Sequence, residues 1–164
     1  MTYPKERTMN VMRDRLETLL VKDIMNTNVL TVAESDDMQK AAQSIFDADV
    51  TGAPVIDSMG KCVGVLSASD FVGRDAGQHE LQILTRTGPD QPYRIECLNE
   101  NIVGSHMSPI VQTVDEDAEL VVAARIMCIE GIHRLVVVDE QDRPVGIVST
   151  LDMTAALVNA IDEG

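Results

Sequence analysis

Gly64-Val65-Leu66-Ser67-Ala68-Ser69-Asp70 reads as the end of a strand running into a helix, and 82 residues later Gly146-Ile147-Val148-Ser149-Thr150-Leu151-Asp152 reads the same way. Gly, Ser and Asp hold matching places in both. Outward from this pair, the chain from Lys22 to Val72 lies on Gly104 to Thr154 without a gap, with 13 identities over 51 positions. Met25 falls on Met107, Thr31-Val32 on Thr113-Val114, Ala41-Ala42 on Ala123-Ala124, and Asp57 on Asp139. An ungapped match of this length marks an internal duplication.

Each copy predicts the order strand, helix, strand, strand, helix. A short β-branched run (Val29 to Val32; Val111 to Val114) precedes an acidic cluster suited to a helix start, where carboxylates satisfy free N–H groups. The helices carry apolar residues at helical spacing, namely Met38, Ala41, Ala42, Ile45 and Phe46, then Leu120, Ala123, Ala124, Met127 and Cys128. Asp49 and Gly131 end them. Two strands follow around a polar turn, Ala53 to Ile56 with Cys62 to Leu66, and Leu135 to Val138 with Val145 to Val148. Val136-Val137-Val138 is continuously apolar, as a strand covered on both faces requires. About 50 residues cannot bury both faces of a sheet alone, so the expected fold is mixed α/β (α+β), two repeats packed sheet to sheet about a pseudo-twofold.

The expected organisation is an N-terminal helix over 1–21, repeat 1 over 22–72, a linker over 73–103 and repeat 2 over 104–164. Met9, Met12, Leu16, Leu19 and Leu20 give the first segment an amphipathic pattern. In the linker, Leu81 to Thr87 and Tyr93 to Leu98 alternate around Gly88-Pro89-Asp90-Gln91-Pro92, which predicts a hairpin.

Composition narrows the function. The net charge of −14 repels phosphate backbones and anionic lipid, so neither nucleic acid nor membrane is an expected partner. An anionic small ligand would need cations gathered locally. Aromatics are only 2%, so the core must be aliphatic. Cys62, Cys97 and Cys128 show no zinc or disulfide spacing and are expected as two buried thiols and one loop thiol. The polar start MTYPKERTMN carries no signal pattern, and no run approaches a membrane span, so a cytoplasmic location is expected.

At a strand-to-helix junction, Ser supplies hydroxyl and N–H donors to an anion. An Asp three residues on can accept from vicinal hydroxyls, as carboxylates that select ribose do. The same residues would serve equally well as helix caps, with the Gly relieving crowding.

The Gly-x-x-Ser-x-x-Asp endings, the Met25 and Met107 lead-ins and the Pro54-Val55-Ile56-Asp57 and Val136-Val137-Val138-Asp139 strands resemble the CBS domain. The tandem resembles a CBS-domain pair (Bateman module). Gly131 to Glu140 is similar to the gamma subunit of AMP-activated protein kinase. The resemblance implies a ligand-sensing regulatory module without catalysis, binding an adenosine nucleotide between the repeats, AMP ahead of ADP or ATP. It implies no required cofactor and no metal, a homodimer, and a regulated protein partner.

For the first cleft it implies Ser67, Ser69 and Asp70, facing Ile110, Ile132, His133 and Arg134. For the second it implies Ser149, Thr150 and Asp152, facing Val29, Val50 and Thr51. Leu151 replaces a hydroxyl there, and Gly52 stands where Arg134 stands in the other copy. His133-Arg134 gives the Asp70 cleft the cations that an acidic chain needs for phosphate. S-adenosylmethionine binding, or a structural module with empty clefts, are the alternatives.

Overall fold

The computed structural model describes residue 16, residues 18–68, 70–71 and 101–162, and the backbone of 82–85 and 94–97. Most of the expected N-terminal helix and the turn of the linker hairpin lie outside the described residues. Leu16 and Thr18 are helical.

Repeat 1 contains β1 (Val32–Ala33), α1 (Met38–Asp47), β2 (Gly52–Ile56) and β3 (Cys62–Ser67), with helical backbone from Ala68 to Phe71 where described. Next, β4 (Gln82–Thr85) and β5 (Arg94–Cys97) pair antiparallel, with Gln82 opposite Cys97. Repeat 2 contains β6 (Thr113–Asp115), α2 (Leu120–Glu130), β7 (Arg134–Val138), β8 (Pro144–Ser149) and α3 (Thr150–Asp162). Each repeat builds one sheet, ordered β1-β2-β3 or β6-β7-β8, with the first pair parallel and the second antiparallel. Leu135 to Val138 are all buried, as the continuous run requires.

Matched residues explain the matched elements. Asp57 Oδ1 accepts from the N–H groups of Met59 and Lys61, and Asp139 Oδ1 from those of Gln141 and Arg143. Each Asp therefore folds the turn between its two strands, an Asx-type role. The helices end at residues of positive φ, Asp49 at 53° just past α1 and Gly131 at 66°. Proline accounts for one asymmetry. Thr113 pairs with Val136, but Pro54 has no N–H to continue the ladder, and β1 stops before the equivalent Thr31.

Two expected core positions are not core. Phe46 is 79% exposed, and Cys128, its counterpart one repeat later, is also exposed. The buried stripe is narrower than the sequence pattern, Met38-Ala41-Ile45 in α1 and Leu120-Ala123-Met127 in α2. Position 46 or 128 falls about 80° around the helix from the first stripe residue, outside the arc that is buried. The thiols are corrected accordingly: Cys62 is half-buried, with its thiol pushed up by burial, and Cys128 is exposed.

The lead-ins are exchanged. Val21, Ile24 and Met25 pack in the core of repeat 2, while Val103 and Met107 pack in the core of repeat 1. The backbone repeats this: Val21 and Lys22 donate to the carbonyls of Ala118 and Glu116, and Val103 and Gly104 to those of Asp36 and Glu34. Asn26 bridges to Ile147 and Ser108 to Val65, each lead-in meeting the edge strand of the other sheet. Each segment that opens a repeat in sequence thus completes the other repeat in space.

Candidate functional site

The two Gly-x-x-Ser-x-x-Asp segments form the same junction. Asp70 Oδ2 accepts from Ser67 N at 2.6 Å and Ser67 Oγ at 2.8 Å. Asp152 Oδ2 accepts from Ser149 N at 2.8 Å and Ser149 Oγ at 2.6 Å. One carboxylate oxygen closes each loop at the head of a helix, and in repeat 2 Asp152 N donates back to Ser149 Oγ at 3.3 Å, completing the cap there. Ser69 lies outside the described residues.

Each junction is tied to the start of the neighbouring strand in its own sheet. Gly52 pairs with Ser67, and Ala68 N donates to Thr51 O at 3.1 Å. Arg134 pairs with Ser149, and Thr150 N donates to His133 O at 3.0 Å. At this end of the sheets a side-chain bond crosses between the repeats: Arg134 Nη1 donates to Thr51 Oγ1 at 2.7 Å. A residue expected in the first cleft is thereby joined to one expected in the second.

The remaining expected residues are less closely drawn in. His133 is exposed, Ile110 is 79% exposed, and Val50 is also exposed. Ile132 packs against the core of repeat 2, and Val29 is half-buried. Among the described residues, no hydrogen bond joins His133 or Arg134 to Ser67 or Asp70.

Gly52 explains why the second cleft has no matching arginine. A Cβ there would lie 2.7 Å from Leu66 O and 3.2 Å from Ser67 Cα, in the backbone of the neighbouring strand. A side chain at this pair would require β2 and β3 to shift apart, whereas the equivalent pair Arg134–Ser149 accommodates one. Charge placement is equally uneven. Lys22, Lys40 and Lys61 pair with Asp117, Asp36 and Asp142. Among the described residues Arg125, Arg134 and Arg143 have no carboxylate partner, and of these only Arg134 is an expected site residue.

Sequence reasoning missed a cavity of about 260 Å³ between the repeats, lined by Lys61, Cys62, Val63, Pro109, Val111, Thr113, Val138 and Asp142. None of the expected site residues lines it. It lies at the start of β3, roughly 17 Å along the strand from Ser67. Its mouth carries a link between repeats: Lys61 Nζ donates to Asp142 Oδ2 at 3.1 Å and Cys62 N to Asp142 O at 2.8 Å. The backbone bond has no counterpart, because Pro144 stands at the position matching Cys62. The only signal in the sequence was that mismatch.

No described helix is long and apolar enough to cross a membrane, and no three described His, Cys, Asp or Glu side chains are grouped to hold a metal.

Comparison with known proteins matches this architecture. The CBS domain family model fits the chain twice, over residues 21–77 and 103–159. The uncharacterized protein MJ1426 of Methanocaldococcus jannaschii is 29% identical over 157 residues, covering 87% of this chain and 93% of the relative. The chloroplastic CBS domain-containing protein CBSX2 of Arabidopsis thaliana is 30% identical over 132 residues, 74% of this chain and 56% of the relative. The structure of CBSX2 in complex with AMP superposes with a TM-score of 0.65 at 26% identity, covering 85% of this chain and 96% of that one. The CBS domain of a membrane protein from Sphaerobacter thermophilus gives 0.67 at 25% identity, covering 93% and 95%. With two matched units, duplicated sheets and exchanged lead-ins, this chain belongs to the CBS domain family as a tandem pair.

Proposed function

We propose that the chain is a ligand-sensing regulatory module that binds an adenosine nucleotide, AMP ahead of ADP or ATP, between its two repeats. The site is the first cleft: Ser67, Ser69 and Asp70 with Ile110, Ile132, His133 and Arg134. The observation that carries this reading is Arg134, a guanidinium without a carboxylate partner among the described residues, bonded to Thr51, whose carbonyl accepts from Ala68 N next to Ser67. An acidic chain repels phosphate except where such a cation stands. Asp70 Oδ2 takes the local hydrogen bonds, which leaves Oδ1 to accept from ribose hydroxyls. The AMP complex of CBSX2, at 26% identity, supports the same ligand class.

The module carries out no catalysis of its own in this reading. Ser67 Oγ donates to Asp70 Oδ2, the arrangement of a cap rather than of an activated nucleophile. Output then passes through a regulated partner protein or through assembly. The exposed aliphatic faces of α2 and α3, including Val121, Val122, Leu157, Val158 and Ile161, favour a homodimer through repeat 2. An exposed free thiol at Cys128 suits a reducing compartment, and we place the protein in the cytoplasm.

A thermal-shift panel of AMP, ADP, ATP, adenosine and S-adenosylmethionine on the full chain tests the reading. A ligand at 100 times its Kd adds about 2.7 kcal/mol. Asp70→Ala should abolish the upshift and Asp152→Ala should reduce it less. If neither substitution changes the response to any ligand, the sensing reading fails and the clefts are structural. If only S-adenosylmethionine shifts the chain, the nucleotide assignment fails.

A further inference from the structure

Arg134 reaches its position by crossing from one repeat to the other, and the group that receives it is the Thr51 hydroxyl, 83 residues away in sequence. Family resemblance alone puts Thr51 against the second cleft. We infer instead that Thr51 is the positioning residue for Arg134, and so sets how strongly the first cleft prefers a phosphorylated adenosine ligand to an unphosphorylated one. The inference rests on the nucleotide reading above.

Thr51 suits this role in three ways. Its β-branched side chain is restricted at χ1. Its own carbonyl accepts from Ala68 N, fixing the backbone to the residue that follows Ser67 at the head of the helix. Its hydroxyl engages one N–H of Arg134, while a guanidinium carries five donors, so the remaining fork stays available for a phosphate.

An unheld arginine loses much of its rotamer freedom on binding an anion, and prior fixation removes part of that cost. The other copy has no arginine at the matching position. Gly52 occupies the matching position, where a Cβ would lie 2.7 Å from Leu66 O. At this matched position, therefore, only repeat 2 carries an arginine, and the Thr51 hydroxyl holds it.

The test is calorimetric titration of AMP and of adenosine into the full chain carrying Thr51→Val, Thr51→Ser or Arg134→Ala. Valine keeps the shape and removes the acceptor. T51V should weaken AMP by roughly five- to tenfold and leave adenosine within about twofold, the size expected when one charge-assisted hydrogen bond no longer orients the guanidinium. T51S should restore AMP to within about twofold of wild type. In an R134A background, T51V should have no further effect on AMP. An unchanged AMP-to-adenosine ratio in T51V, or an equal loss for both ligands, overturns the positioning role while AMP binding itself stands. A wild-type chain that binds neither ligand overturns the nucleotide reading and this inference together.

Discussion

Gly64 lies directly beneath the thioether of Met107, and a Cβ on that glycine would have no room beside the sulfur. Gly146 lies beneath Met25 in the same way. The matched glycines and matched methionines are thus one feature: each glycine admits the lead-in methionine arriving from the other half. Gly64→Ala and Gly146→Ala should each destabilise the chain by roughly 1–3 kcal/mol through overpacking. Combining Gly64→Ala with Met107→Ala should cost less than the sum of the two, as urea unfolding in a double-mutant cycle would show.

The two first helices are capped differently. Asp37 accepts from Gln39 N and Lys40 N, whereas Glu119 makes no side-chain cap bond. Asp37→Ala should cost about 1 kcal/mol and Glu119→Ala close to nothing, measured by denaturant midpoint. Equal losses would contradict the described caps.

Asp36 gives a pH signature. The Lys40 ammonium, then the Ala33 N–H, hold its carboxyl below the usual carboxylate range. Because the folded value is depressed, the stabilisation is complete above the unfolded value of about 3.9 and is lost as pH falls through the lower folded one. Lys40→Met should therefore flatten the loss of stability below pH ~4, as followed by unfolding at a series of pH values.

Cys62 and Cys128 should separate in thiol reactivity. Burial raises the Cys62 thiol, whose Sγ lies 3.8 Å from Gly64 O, while Cys128 stands on the outer surface of α2. At neutral pH a maleimide should label Cys128 well before Cys62, as peptide mass spectrometry would resolve. If the homodimer forms through repeat 2, labelling of Cys128 should slow as protein concentration rises.

Asp142 occupies a backbone position with φ of 62°, and its counterpart Gly60 has φ of 81°. Asp142→Gly removes an exposed ion pair but relieves the backbone, so stability should stay within about 1 kcal/mol of wild type. A large loss would show that the Lys61 bridge at the cavity mouth holds the repeats together more firmly than its exposure suggests.

Much of this molecule was legible because strand and helix periods survive duplication. Val136-Val137-Val138 announced a strand covered on both faces, and Asp57 with Asp139 marked the turns. Local patterns do not say which neighbour a residue meets. The methionine lead-ins were visible as matches, yet nothing local to them says that they cross to the other sheet. Phe46 and Cys128 look apolar enough for the core, and only their angular place beside the buried stripe leaves them outside. The Ser–Asp junctions could be read from spacing. The Arg134–Thr51 bond could not, since it depends on how two strand ends approach across the pseudo-axis.

Exchange of the lead-ins has a consequence for inheritance. Val21 and Val103 are fully buried, each in the core of the half that it does not begin. A gene cut between the copies would leave each fragment with its own opening segment stranded and a hole where its sibling's belongs. Neither fragment should fold alone, and the intact chain should melt in one cooperative transition. Sequence can differ between the copies, as Gly52 and Arg134 do, while the exchanged segments keep each core dependent on the other half of the chain.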